Sequence, residues 1–381
     1  GEVRFEREYY VPKDGSGPGF FYVDTLFSLP KRDYFDPMIK ATIVEYSAAY
    51  SYTQVGELVC DKIGERFQTL DHRRLFRISR QTVHHIIKQA DLDVPVEPRQ
   101  DVVDTIHIQL DEKWVATQGT DGRKTEIKAA VVYTGIEREY SGRNRLVNRH
   151  VITSDQSASH LRERLLDHIL HTFDIRHVHH IILSGDGANW IKNTQFDLAF
   201  PEDVKTVFVL DRFHLERAIH HISSDPDIKQ LLRSYITLPR TKAFRQLCDA
   251  LIETSPERTD VMLQAKDYIL SNWKFIQHQR HPKFLGCSME GHISHVLAAL
   301  FTSRPKAHSR STLTKRLRIR ELFVNGVDIK ATYLSNQRDP VPIIDHLELL
   351  QPSPKGLFDI IGHRTTQRYK AYKHMAHPTF I

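Results

Sequence analysis

The chain has 381 residues, 40% hydrophobic and 26% charged, with a net charge of +6 and a pI near 9.0. That is a globular composition, long enough for two or three domains rather than one core. No long uncharged apolar run offers a membrane span, and the charged opening Gly1–Arg7 does not read as a secretory leader, so a cytoplasmic protein is expected.

Residues 1–35 read as irregular, with a loop at Asp14-Gly15-Ser16-Gly17-Pro18-Gly19. From 36 to 92 the pattern is helical. Pro37 suits a first helical position, and Ile39, Ile43, Tyr46 and Tyr50 recur at helical spacing. A second helix is predicted from Gln54 to about Phe67, with Val55, Leu58, Val59 and Ile63 as its apolar stripe. Ser79 then caps a third, in which Val83, Ile86 and Ile87 face inward and Arg80, Gln81, His84 and Lys88 face outward. These outward types reach phosphates and base edges, as on the recognition helix of a helix-turn-helix. An amphipathic helix of an ordinary bundle gives the same periodicity.

Pro95 and Pro98 mark 93–100 as a linker. Residues 101–214 read as α/β. Thr105–Leu110 is a strand delivering Asp111, followed by strands at Glu126–Tyr133 and Leu146–Thr153 and a helix over 157–172. His180–Ser184 is a short buried strand ending in Gly185-Asp186-Gly187, and Thr206–Leu210 ends at Asp211. Three strands, a helix and two more strands is the element order of an RNase H-like mixed sheet, although other α/β folds share it. Residues 215–282 look like an all-α insertion. Residues 283–320 resume the core with a helix carrying Glu290 and a basic segment, and 321–381 form a tail without a clear motif.

Two basic stretches contain no acid: Arg73, Arg74, Arg77, Arg80 and Lys88 in one, Arg304, Lys306, Arg310, Lys315, Arg316, Arg318 and Arg320 in the other. One such run is commonly a solvated face; two favour a polyanion, and DNA first.

Phosphoryl transfer on nucleic acid commonly uses two Mg²⁺ ions held by carboxylates from separate elements. Asp111 and Asp186 each follow an apolar strand, Glu290 sits early in a helix, and the gaps between them are 75 and 104 residues. Singly, each could be a turn or cap residue. The three cysteines, Cys60, Cys248 and Cys287, lie far apart without a CxxC pair, which argues against a disulfide framework and a zinc ribbon. The 23 histidines contain no HExxH, and Ser288 has no GxSxG context, so zinc and acyl-transfer chemistry are not expected.

The words around the carboxylates are more specific. Gln109-Leu110-Asp111-Glu112-Lys113-Trp114-Val115-Ala116-Thr117-Gln118, Ser184-Gly185-Asp186-Gly187-Ala188-Asn189-Trp190-Ile191-Lys192, Leu210-Asp211-Arg212-Phe213-His214-Leu215 and Gly286-Cys287-Ser288-Met289-Glu290-Gly291-His292 occur in order. Together they resemble the ISLre2-type insertion-sequence transposases, relatives of the mutator-like transposases, over about Tyr46 to Ser309. The resemblance implies an RNase H-like fold, a DDE triad at Asp111, Asp186 and Glu290, Mg²⁺ (Mn²⁺ as substitute), and terminal-repeat and target DNA as substrates. A homo-oligomer on paired ends follows by analogy. Asp211 and His214 fit either a role near the metals or a helix cap with a packed imidazole. Trp190 fits the core, or stacking on a flipped base. A DNA-binding relative without activity and a stand-alone nuclease of the same fold are the alternatives to a transposase.

Overall fold

The computed structural model describes residues 7–12, 19–21, 35–67, 77–95, 97–118, 124–140, 144–197, 200–201, 203–287, 289–302, 307–337 and 361–367. They form two compact units, residues 1–93 with 328–381, and residues 94–327.

In the first unit, β1 (Arg7–Pro12) pairs antiparallel with β2 (Phe20–Phe21) and with the strand Ile361–Gln367. The expected irregular N-terminus and motif-free tail therefore supply strands to one small sheet; the predicted 14–19 loop lies outside the described residues except Gly19. Three helices follow: α1 (Pro37–Tyr46), α2 (Tyr52–Phe67) and α3 (Arg80–Gln89). Asp36 caps α1 by accepting from Met38 N at 2.7 Å, and Ser79 caps α3 by accepting from Thr82 N at 3.1 Å. Ile43, Val44, Val55, Val83 and Ile87 are fully buried. Gly56 lets α2 approach the chain entering α3, because a Cβ there would stand 2.5 Å from Ile78 O. The helix Ile329–Asn336, unforeseen in the tail, packs on α1 and joins it through Lys330 Nζ to Glu45 Oε2 at 2.8 Å.

The second unit is built on a five-stranded mixed sheet. Its strands are β3 (Thr105–Ala116), β4 (Lys124–Tyr133), β7 (His150–Ser154), β8 (His180–Gly185) and β9 (Lys205–Leu210), in the order β7-β4-β3-β8-β9. The pairs β3–β4 and β4–β7 are antiparallel, and β3–β8 and β8–β9 parallel. The single strand expected over Leu146–Thr153 is broken. Asn148, at φ +51°, separates β6 (Asn144–Val147), which hairpins with β5 (Gly135–Arg138), from β7.

Both faces of the sheet are covered, which is why Ile127–Tyr133 of β4 is buried without a break. Ile106, Ile108 and Leu110 point to one face, where Leu161, Leu165 and Ile169 of α4 (Ala158–Thr172) and Ile191 of α5 (Asn189–Asp197) pack. On the other face Val115, Ile127, Ala129, Val131 and Val151 meet Met289 and Ile293 of α11 (Met289–Ile293), and Leu313 and Leu317 of α12 (Arg310–Val324). Between β9 and α11 stand the helices α6 (Arg212–Ile222), α7 (Pro226–Thr237), α8 (Thr241–Glu253), α9 (Thr259–Ser271) and α10 (Trp273–Gln277), with a core of their own around Ile219, Leu232, Phe244, Met262 and Ile269.

One buried ion cluster fastens α12 to the sheet. Glu321, 2% exposed, accepts from Thr153 N at 2.7 Å, Arg164 Nη2 at 2.6 Å and Arg318 Nη1 at 2.7 Å. These charge-assisted bonds hold the Glu321 carboxyl below its usual range against the opposing effect of burial.

Candidate active site

Strand register sets the acidic groups beside one another. The β3–β8 pairing ends at Gln109↔Ser184 and the β8–β9 pairing at Gly185↔Leu210. Continued by one or two residues, it places Asp111, Asp186 and Asp211 in one row across three neighbouring strands, which lie about 4.8 Å apart. Asp211 N extends the pairing by donating to Gly185 O at 2.8 Å. For β4, Asp111 is mid-strand, paired with Ala129; for β8 it lies past the last partner. One side of this carboxylate is therefore walled by sheet and the other opens at the sheet's end.

Two glycines make the row possible. A Cβ on Gly185 would stand 2.6 Å from Leu110 O and 2.9 Å from Ile191 Cγ2, so β8 can approach β3 at this point only without a side chain. Gly187 turns the chain at φ +84°, and a Cβ there would stand 2.8 Å from Asn272 Oδ1. Between them Asp186 accepts from Ala188 N at 2.8 Å, and its carbonyl accepts from Tyr268 Oη at 2.5 Å.

Asp111 is 7% exposed and faces the side of the sheet on which α11 packs, since its cross-strand partner Ala129 belongs to that core. The backbone of Glu290 lies in α11, so its helix covers the face toward which Asp111 points; the side chain of Glu290 is outside the described residues. Cys287, just before α11, hydrogen-bonds Ser184 and has Asp211 and Asp111 as charged neighbours. Burial first, then those negative charges, push its thiol up to about 12, so it stays protonated.

Asp211 takes the helix-cap role, with His214 beside it. Asp211, 2% exposed, caps α6 by accepting from Phe213 N at 3.1 Å, and His214 Nε2 stands 4.0 Å from its Oδ2. Asp211 is thus a cap that also completes the row.

Glu112 escaped the sequence reading, although it stands beside Asp111. It points to the opposite face and accepts from Trp190 Nε1 at 2.7 Å. Its cross-strand neighbour Lys128 pairs with Glu126 at 2.9 Å and lies 5.7 Å from the Trp190 ring. Burial, then Glu126 and Asp186, raise the Glu112 carboxyl to about 7. Trp190 is four residues beyond Asp186, so this bond ties the Asp186 turn to β3. No local pattern in β3 or around Trp190 announces this contact, which joins residues 78 apart.

Among the described residues no three His, Cys, Asp or Glu side chains converge as a preformed metal cage would. Asp111 and Asp186 on adjacent strands still suit Mg²⁺, which takes one or two carboxylates and fills its shell with water and phosphate oxygens.

The expected DNA contacts separate. Arg73, Arg74, Arg304 and Lys306 lie outside the described residues. Arg77, Arg80, Gln81 and Lys88 are exposed, whereas His84 is half-buried with its ring edge-on to Tyr52 at 5.9 Å. In the second stretch Arg310 is exposed and Lys315 half-buried, but Arg316 is 2% exposed and does not reach solvent as expected. Packing of α12 on the sheet turns that position inward. Arg318 is engaged by Glu321, and Arg320 donates to the carbonyls of Val296 and His295. Much of this charge holds the fold together. Among the described residues, no helix is long and apolar enough to cross a membrane.

By fold and site this is a mixed α/β protein whose five-stranded sheet ends in a row of aspartates beneath a covering helix. The family described as "Uncharacterised protein family (UPF0236)" matches residues 1–338, and the chain belongs to it. Curated relatives named UPF0236 proteins, from Caldanaerobacter subterraneus subsp. tengcongensis, are 27% identical over 337 residues. The alignment covers 87% of this chain and 68% of one relative, 67% of another, so the chain spans about two thirds of their length. The name of the second joins eleven designations within that one strain.

Proposed function

We propose that this chain is a DNA transposase of the ISLre2 type, with an RNase H-like catalytic core. The observation that carries the reading is the register: β3 and β8 run parallel with Gln109 opposite Ser184, so Asp111 of β3 and Asp186, just past the end of β8, come at corresponding positions, with the helix that bears Glu290 on the face toward which Asp111 points. The strand order supports it. Three strands, a helix and two further strands, the element order read from the sequence, close into one mixed sheet that runs 3-2-1-4-5 by order of appearance, with the second antiparallel to its neighbours. A name joining eleven designations in one strain also fits a protein encoded by an element present in many copies.

Asp111, Asp186 and Glu290 would hold Mg²⁺ or Mn²⁺. Such ions, when bound, activate the attacking oxygen and steady the leaving one. The chain supplies position. Gly185 brings the end of β8 against β3, Gly187 lets the Asp186 turn close on Leu210 and Asn272, the Trp190–Glu112 bond ties the turn to β3, and Cys287 walls the row with a neutral thiol. The reaction proposed is cleavage at the element's ends followed by attack of the freed 3′-hydroxyl on target DNA. Arg77, Arg80, Gln81 and Lys88 offer α3 and its entry to the terminal repeats, and a homo-oligomer on the paired ends is proposed by analogy.

The test is cleavage and strand transfer on labelled element-end DNA with Mg²⁺ or Mn²⁺, wild type beside Asp186→Asn. Metal-dependent nicks and joined products, both absent from the variant, are expected. Nicks without joining would leave a nuclease, and binding without chemistry, equal in both proteins, a DNA-binding relative.

A further inference from the structure

A cavity of about 720 Å³ lies on the face of the sheet toward which Asp111 points. Gln109 is at its wall, two residues before Asp111 on β3 and so about 7 Å from it on the same side of the strand. The Gln109 amide donates to Tyr133 Oη at 2.9 Å, and that hydroxyl donates to Gly286 O at 3.3 Å. Cavity and aspartate row thus share the segment Gly286–Cys287 as a partition.

The rest of the lining comes from two elements. The β5–β6 hairpin and the turn after it give Asn144, Arg145 and Arg149, α11 gives Gly291 and His292, and its π-helical continuation Ser294–Ala298 gives His295. Among the described residues, those lining it include two arginines and no aspartate or glutamate. Arg145 meets Glu137 only at 3.5 Å, both well exposed, and Arg149 donates through Nη2 to Val324 O at 2.6 Å without a carboxylate partner within ion-pair distance among the described residues. His292 Nε2 is buried with no hydrogen-bond partner among the described residues. Amides, an imidazole and guanidiniums, with no carboxylate among the described lining residues and only the exposed Glu137 near Arg145, match a base edge with a phosphate attached. Single-stranded nucleic acid is recognised through such exposed base edges, whereas a duplex hides them in pairing. The size also suits it, since small-ligand cavities run about 300–1,000 Å³.

We infer that this cavity receives an unpaired nucleotide of the DNA strand whose neighbouring phosphate lies at the aspartate row. The inference rests on the transposase reading for the identity of that strand. Its arginines take the backbone phosphate and its amides the base, so the unpaired nucleotide fixes which phosphodiester meets Asp111 and Asp186.

Gly291 gives a clean perturbation. A Cβ there would meet nothing within 4 Å and its φ is not positive, so Gly291→Leu fills the cavity from an open position. The probe is an iodouracil-substituted short single-stranded DNA, photocrosslinked without metal and mapped by peptide mass, with Arg145→Ala as a second variant at an exposed site. Crosslinks are expected within residues 144–149 or 285–295, reduced at least ten-fold in both variants and unaffected by Asp186→Asn. A fully paired duplex of the same sequence should not crosslink there. Crosslinks elsewhere only, equal labelling by the duplex, or retention in both variants would overturn the inference. So would displacement by free thymidine monophosphate as effective as by the oligomer, which would make the ligand a mononucleotide. The readout needs no chemistry, so it separates from the cleavage test. Specific crosslinks without cleavage would leave the cavity and remove the transposase, and cleavage unchanged in Gly291→Leu would do the reverse.

Discussion

Gly185→Ala is the sharpest perturbation of the proposed site, because it adds one methyl group where β8 touches β3. That methyl carbon would stand 2.6 Å from Leu110 O, about 0.8 Å inside ordinary contact at 3.4 Å. The obstacle is main chain rather than a flexible side-chain tip, and Ile191 Cγ2 at 2.9 Å closes the other direction. The strands must therefore part by a large fraction of an ångström between Leu110 and Gly185, the residues just before Asp111 and Asp186. Overpacking of this kind costs about 1–3 kcal/mol, whereas a misplacement near 1 Å at a reacting centre can cost on the order of 100-fold in rate. Activity should fall further than stability: element-end cleavage reduced roughly 10- to 100-fold, in a protein that still melts cooperatively. The comparison is Gly135→Ala, whose Cβ would meet only the Val147 side chain, at 3.8 Å or more. Single-turnover cleavage and a thermal melt of each variant measure both quantities. If Gly185→Ala cleaves within about three-fold of wild type while Asp186→Asn does not cleave, the close approach does not set the geometry and the reasoning fails.

Three other outcomes are expected. Glu321→Gln removes the charge from a carboxylate engaged by Arg164, Arg318 and Thr153, and breaking such a pair costs about 3 kcal/mol at the low end, since Arg164 is 30% exposed and regains water. That lowers Tm by roughly 6–12 °C in a unit of this size, and a change below about 2 °C would contradict it. His150 and His168 stack at 4.0 Å, and burial lowers them to about 4 and about 3 from 6.5. Both are neutral when folded, so their contribution is complete above pH 6.5 and declines as pH falls toward those lowered values, by up to about 1.4 kcal/mol per pH unit for each; urea melts from pH 7 to 4 should show this slope, weaker in His168→Leu. Finally, Arg80→Ala with Lys88→Ala should flatten the dependence of log K on log salt for element-end DNA by about 1–2 units. An unchanged slope would remove α3 from the interface.

Much of the α/β unit was legible because it rests on local pattern. Alternation and apolar runs bounded by turns placed β4, β8 and β9 to within one or two residues, and Ser79 announced the start of α3. The strand expected to end at Leu110 instead runs on to Ala116, because its pairing with β4 continues through Asp111, which therefore lies inside β3 rather than at its end. The words around Asp111, Asp186 and Glu290 singled out the carboxylates before any geometry was in hand.

What the sequence determined was therefore the elements and the chemistry each carries. Tertiary structure decided which of them meet. Only register puts Asp111, Asp186 and Asp211 in one row, because strand pairing is a relation between segments up to 75 residues apart. Only packing turns Arg316 inward and leaves Arg310 outside, since a run of like charges reads the same from either side of a helix. Local pattern was equally silent on β1 pairing with Ile361–Gln367 across nearly the whole chain, and on Glu112 meeting Trp190. In each case the deciding free energy belongs to a contact between distant residues, and no window along the chain contains both partners.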